Sequence, residues 1–149
     1  MRFHLVDRID AYEPGKSVRA RKLTSVTEEL WIGSADRPFM PPPLVLESLC
    51  QAGSWLIIAT TKGRKRAALL QIGSVSFLGD VRPGDVLELQ GEVHSMTEEM
   101  AVLSGTVSVS TRCVLAATDI MCALIDADEL EDAADTARMH DQLIRQAAS

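Results

Sequence analysis

Apolar and polar positions change their period along the chain, and each change marks an element. Ser17 to Val26 alternates as a strand, with Arg19, Arg21 and Lys22 facing solvent in part. From Pro43 to about Thr61 the chain is apolar almost all round, which predicts a helix wrapped by other structure. Pro43 suits a first helical position, where its missing N–H would have no helical partner. At helical spacing Glu47, Cys50, Gln51 and Ser54 fall within one arc of about 100°. Leu69–Phe77 is a further strand candidate. Val86–His94 sets Leu87, Leu89 and Val93 against Glu88, Gln90, Glu92 and His94, and Leu103–Ser110 alternates in the same way. Val114–Ile125 is more apolar, with Asp119 its only charge. Tyr12–Lys16 and Val81–Asp85 each hold a Pro-Gly pair and read as turns. Three consecutive strands on short turns form an antiparallel meander. With one long apolar helix, that is an α+β pattern in which the sheet curls around the helix.

Composition narrows the function classes. The 149 residues suit one domain, and a net charge of −6 argues against general nucleic-acid binding, which needs a broad basic face. Charges throughout the first ten residues leave no apolar signal core, so a cytoplasmic location is expected. Leu44–Thr61 is long enough to suggest a membrane span, but Glu47, Ser48, Gln51 and Ser54 interrupt it and a buried helix is expected instead. Cys50, Cys113 and Cys122 sit in apolar runs without CxxC spacing and read as buried free thiols. Residues 126–149 differ from residues 1–125: acidic first (Asp128, Glu129, Glu131, Asp132, Asp135), then bearing Arg138 and Arg145. They read as a loosely attached helix or partly disordered tail without chemistry.

The residues that carry chemistry are few. Glu47 is the single carboxylate of the apolar helix, and burying it is costly unless it has a partner or a task. Gln51 follows one turn later and could orient Glu47 or a water, or make a simple interface hydrogen bond. Lys62-Gly63-Arg64-Lys65-Arg66 is the one dense basic run. It is either a solvated loop or a docking patch for an acidic carrier protein or a pantetheine phosphate, and docking is slightly favoured. His94 is placed on an exposed strand face and His140 in the tail, both solvated. No metal-ligand spacing, phosphate-binding glycine loop or nucleophile elbow occurs, and no cofactor is implied.

Five segments in order carry a resemblance: Arg2-Phe3-His4-Leu5-Val6-Asp7-Arg8, Glu13–Ser17, Arg37-Pro38-Phe39-Met40-Pro41, Leu46-Glu47-Ser48-Leu49-Cys50-Gln51-Ala52 and Val81-Arg82-Pro83-Gly84-Asp85. Together they resemble the hotdog-fold β-hydroxyacyl-acyl-carrier-protein dehydratases, from the first residues to about Ile125. The resemblance implies a hotdog dimer with two sites across the interface, and acyl carrier protein or coenzyme A thioesters as partners in fatty-acid or polyketide synthesis. In the family a His of one subunit removes the proton alpha to the carbonyl. A carboxylate on the other subunit's helix assists loss of the β-hydroxyl, and a backbone N–H at the helix start polarises the carbonyl.

Glu47 matches the carboxylate and is the catalytic candidate. Gln51, Gly33, Ser34, Phe39 and Pro42 fall around the implied substrate, and Lys62, Arg64, Lys65 and Arg66 make up the docking run. The His position falls on Gly33, or on Ser34 with a one-residue deletion, and the N–H donor position falls on Pro42, which has no N–H. His4, where the family has an aliphatic residue, could replace the missing base; a surface or core histidine is the more frequent occurrence. Three functions follow: a divergent dehydratase using Glu47, an acyl-thioester-binding protein (alone or paired with an active homologue), or a hotdog thioesterase.

Overall fold

The computed structural model describes residues 4–129 and 133–148. The elements are β1 (Arg8–Glu13), β2 (Ser17–Leu23), α1 (Pro42–Thr60), β3 (Lys65–Phe77), β4 (Val86–Met96), β5 (Met100–Val109), β6 (Arg112–Asp126), a short 3-10 turn (Ala127–Glu129) and α2 (Ala133–Ala148). The strands form one sheet in the order β1-β2-β4-β5-β6-β3, with every neighbouring pair antiparallel. The expected meander is the run β4-β5-β6. The N-terminal strand β1 had no separate signal; it forms a hairpin with β2 through Gly15, whose φ of 74° suits glycine.

Alternation decides which side of each strand meets the helix. Leu87 and Leu89 of β4, Leu103 and Val107 of β5, and Leu115, Ala117 and Ile120 of β6 are buried on the concave face. Val45, Leu49, Ala52, Leu56 and Ile57 of α1 pack into that face. Close packing depends on Gly105: a Cβ there would run into the Gln90 carbonyl oxygen on β4 and come within 2.8 Å of Leu49 Cδ1 on the helix. α1 is long and apolar enough to cross a membrane by composition, and in the fold it is the core helix.

Some expectations are corrected. β2 stops at Leu23 rather than Val26, because the chain turns: Ser25 N–H donates to Glu28 Oε1 at 2.9 Å and Val26 is exposed. Lys22 is 3 % exposed rather than solvent-facing, and its ammonium meets Glu28 Oε2 at 3.1 Å. Cys113 is exposed at the start of β6, where the turn before it leaves no covering layer; Cys122 is buried and Cys50 half-buried.

The tail is closer to the body than a loosely attached helix or disordered end would be. α2 lies against β1, and Leu143 and Ile144 pack on the core. His140 is not solvated: its ring lies 5.8 Å from Tyr12 and 6.0 Å from Trp55, centroid to centroid. Part of the acidic run, residues 130–132, lies outside the described residues.

Candidate functional site

Between α1 and the edge of the sheet is a cavity of about 200 Å³. Glu47, Cys50, Gln51 and Ser54 all line it, so the polar arc read from helical spacing is its helical wall. Ala67 and Leu69 of β3, Leu103 of β5 and Ile120 and Cys122 of β6 supply the opposite, largely apolar wall. A pocket with an apolar floor and a few polar groups on one side suits an acyl chain with a reactive polar head.

Glu47 is exposed at this cavity rather than buried as expected, because nothing in the single chain covers that side of the helix. It is held by its neighbours. Gln51 Nε2 donates to Glu47 Oε1 at 3.3 Å, and the Leu5 N–H donates to Gln51 Oε1 at 2.8 Å. The second bond fixes which end of the Gln51 amide faces Glu47. Leu5 carried no signal as a site residue; the contact spans 46 positions and exists only in the fold.

Cys50 does not supply a nucleophile. Burial, then the neighbouring Glu47 and Cys122, push its thiol up to about 11, so it stays protonated near neutrality. Burial raises the Cys122 thiol as well.

The start of α1 lacks the expected donor more completely than Pro42 alone implies. Pro41, Pro42 and Pro43 have no N–H, and the first one available, from Leu44, already donates to Pro41 O at 2.9 Å. Met40 N–H donates to Val81 O at 2.9 Å. Two of the segments that carry the resemblance are thus joined. Arg82 reinforces the junction with two 3.1 Å bonds to the carbonyls of Arg37 and Pro38.

Gly33, Ser34, Phe39 and Pro42 do not line the cavity of the single chain. Ile32 and Phe39 form a two-residue bridge that closes a tight loop. Gly33 has φ 91°, and a Cβ there would lie 2.8 Å from Phe39 Cε1. Ser34 is exposed.

The basic run is split by the start of β3. Arg66 is 6 % exposed and donates to the carbonyls of Gly63 and Lys65, and Lys65 pairs with Asp126 at 2.8 Å. Lys65 and Arg66 are therefore structural, because strand alternation and the β6 partner take them out of solvent; Lys62 and Arg64 remain exposed. The run follows the end of α1, about 20 Å along the helix axis from Glu47. Of the imidazoles, His94 is exposed and bonds the Ser104 hydroxyl, and His4 is exposed next to Leu5.

A helix in the grip of a curved antiparallel sheet, with a carboxylate near its proline-rich start, now has a counterpart in known families. The FabA-like domain matches residues 1–118. The chain belongs to the FabA-like family. It is a hotdog-fold, dehydratase-like member. Over 126 residues it is 34% identical to the 3-hydroxyacyl-[acyl-carrier-protein] dehydratase FabZ of Levilactobacillus brevis, covering 83% of this chain and 84% of that one. It is 36% identical over 118 residues to the FabZ of a Wolbachia of Drosophila simulans, covering 78% and 82%. Among solved structures, a Streptococcus mutans protein bound to acetyl CoA superposes with a TM-score of 0.64 at 20% identity, covering 83% of this chain and 92% of that one. A hypothetical thioesterase with coenzyme A from Streptococcus pneumoniae gives 0.59 at 20% identity, covering 78% and 84%. At that identity the two structures share the hotdog fold with this FabA-like chain, and the likeness goes no further.

Proposed function

We propose that this chain binds 3-hydroxyacyl thioesters, carried on acyl carrier protein or coenzyme A, with the acyl chain in the α1–sheet cavity and the β-hydroxyl beside Glu47. The reaction class is loss of water, with Glu47 as the acid that protonates the departing hydroxyl. The observation that carries this reading is the Glu47–Gln51 pair, oriented by the Leu5 N–H at the polar wall of an otherwise apolar cavity. The sequence relatives named as 3-hydroxyacyl-acyl-carrier-protein dehydratases support the substrate class. Fatty-acid biosynthesis in the cytoplasm is the setting that fits such a substrate.

The working unit in this proposal is a dimer. β3 is an edge strand, and Leu69, Leu70 and Phe77 along it and Leu78 just after it are each more than half exposed. A long apolar edge is an aggregation hazard unless something pairs with it. A second copy paired antiparallel on β3 would cover the open side of Glu47. It would also carry Lys62 and Arg64 towards the partner's helix start, where a carrier protein could dock.

The test is mass-spectrometric turnover of a 3-hydroxyacyl carrier-protein thioester by the wild type and by Glu47→Gln. Water loss is expected, falling at least a hundredfold in the variant. Release of the free acid would instead identify a thioesterase. An unchanged thioester would leave a binding subunit. That second reading has its own support in the missing N–H donors at the helix start and the lack of a base at Gly33 and Ser34. Paired with a complete homologue, Glu47 would serve the partner's base, and Glu47→Gln in this chain should then abolish the pair's activity.

A further inference from the structure

We infer that His4 is the base that removes the C2 proton, acting in the same chain as Glu47. This inference rests on the dehydration reading and adds to it the second half of the reaction. Loss of water breaks the C2–H and C3–O bonds of the 3-hydroxyacyl thioester and forms the C2=C3 double bond. The protonated Glu47 carboxyl gives its proton to the leaving hydroxyl, which departs as water. The C2 proton goes to the His4 imidazole, whose proton then returns through solvent to the Glu47 carboxylate, so the site is restored without a co-reactant. A lone carboxyl would have to take the C2 proton before delivering it to the oxygen. A second proton-accepting group lets both transfers proceed together.

Among the described residues three imidazoles are available, and the fold disposes of two. His94 is bound to Ser104 on the side of β4 turned away from the helix, and His140 is enclosed between Tyr12 and Trp55. Cys50, the thiol on the polar wall beside Glu47, is held neutral by burial. His4 is different. Its neighbour Leu5 donates its N–H to Gln51 Oε1 at 2.8 Å, and Gln51 Nε2 donates to Glu47 Oε1 at 3.3 Å. Following those links atom by atom, the His4 Cα lies no more than about 11 Å from the Glu47 carboxylate. An imidazole reaches about 5 Å beyond its own Cα, so the ring can reach a two-carbon unit held beside the carboxyl. Leu5 and Val6 are buried, so the segment that delivers His4 is anchored, while His4 and Glu47 are both exposed. The same N–H that aims Gln51 at Glu47 therefore also fixes where the base starts.

The test uses the full chain and a 3-hydroxyacyl carrier-protein thioester. Water loss, and deuterium exchange at C2 in heavy water, are followed for the wild type, His4→Ala, His4→Gln, Glu47→Gln and His94→Ala, with and without added imidazole. His4→Ala and His4→Gln are expected to lower kcat by about 10²–10⁴-fold with KM little changed. Added imidazole should restore part of the His4→Ala rate, and His94→Ala should match the wild type. A wild-type rate in His4→Ala beside an inactive Glu47→Gln would overturn the role of His4 and leave the cavity reading standing. Loss of activity without rescue by imidazole would make His4 structural and also overturn the inference. A wild type inert on the thioester would overturn both.

Discussion

At the scale of single residues, the loop before α1 shows how the two positions that the resemblance offers for a histidine are built. Gly33 sits at φ 91° with the Phe39 ring where its Cβ would be. A side chain there would strain the backbone and displace a half-buried aromatic. Ser34, one position on, is exposed, and its hydroxyl only accepts the Arg37 N–H at 3.3 Å. Of the two positions the resemblance offers for a histidine, Ser34 is the one that can hold it. Gly33→His is expected to lower stability by about 2 kcal/mol or more. Ser34→His should stay within about 0.5 kcal/mol of the wild type. Denaturant unfolding midpoints of the two variants check this, and equal midpoints would contradict it.

At the scale of elements, α2 shows how a segment that reads as a loose tail finds a place. Thr136 is buried and His140 fills the space between Tyr12 on β1 and Trp55 on α1. Burial holds the His140 imidazole below its ordinary 6.5, and Asp141 opposes this in part. The undocked state then binds more protons than the docked one, so docking is at full strength above the ordinary histidine range and is lost as pH falls through and below it. Amide hydrogen exchange in α2 should quicken between about pH 7.5 and pH 5.5, and His140→Leu should flatten that dependence. An α2 whose protection ignored pH in the wild type would show that His140 does not hold it. α1 presents the opposite case. Its pattern is strong, and both its length and its polar arc were legible from residues 43–61, one residue from the observed bounds.

At the scale of the whole molecule, the sheet has two edges, and the described residues cover one. β1 carries α2 against it, whereas β3, a 13-residue strand, leaves Leu69, Leu70 and Phe77 exposed, and Leu78 just after it is exposed as well. A free edge of this length and character is expected to take a second copy. Light scattering on the purified chain should then give twice 16.2 kDa, and the double variant Leu70→Glu, Leu78→Glu should give the single mass. A wild type of 16.2 kDa at micromolar concentration would remove the dimer from the proposed function.

The sequence by itself determined the central helix, the β4-β5-β6 meander and the arc of Glu47, Cys50, Gln51 and Ser54, because local period and turn chemistry are short-range properties. It also showed that neither Gly33 nor Ser34 can act as a base and that Pro42 has no N–H to give, since a residue's identity is enough to exclude either. Tertiary structure alone decided what lies across from that arc. β3 joins β6 at the sheet edge, the Leu5 N–H reaches Gln51, Lys22 and Arg66 are buried, and His140 enters an aromatic enclosure. Each of these depends on which distant segments meet, and pairing across many positions leaves no periodic trace in the chain. The candidate site is built at that boundary: one wall is written in a single helix, and the other exists only once the sheet has closed over it.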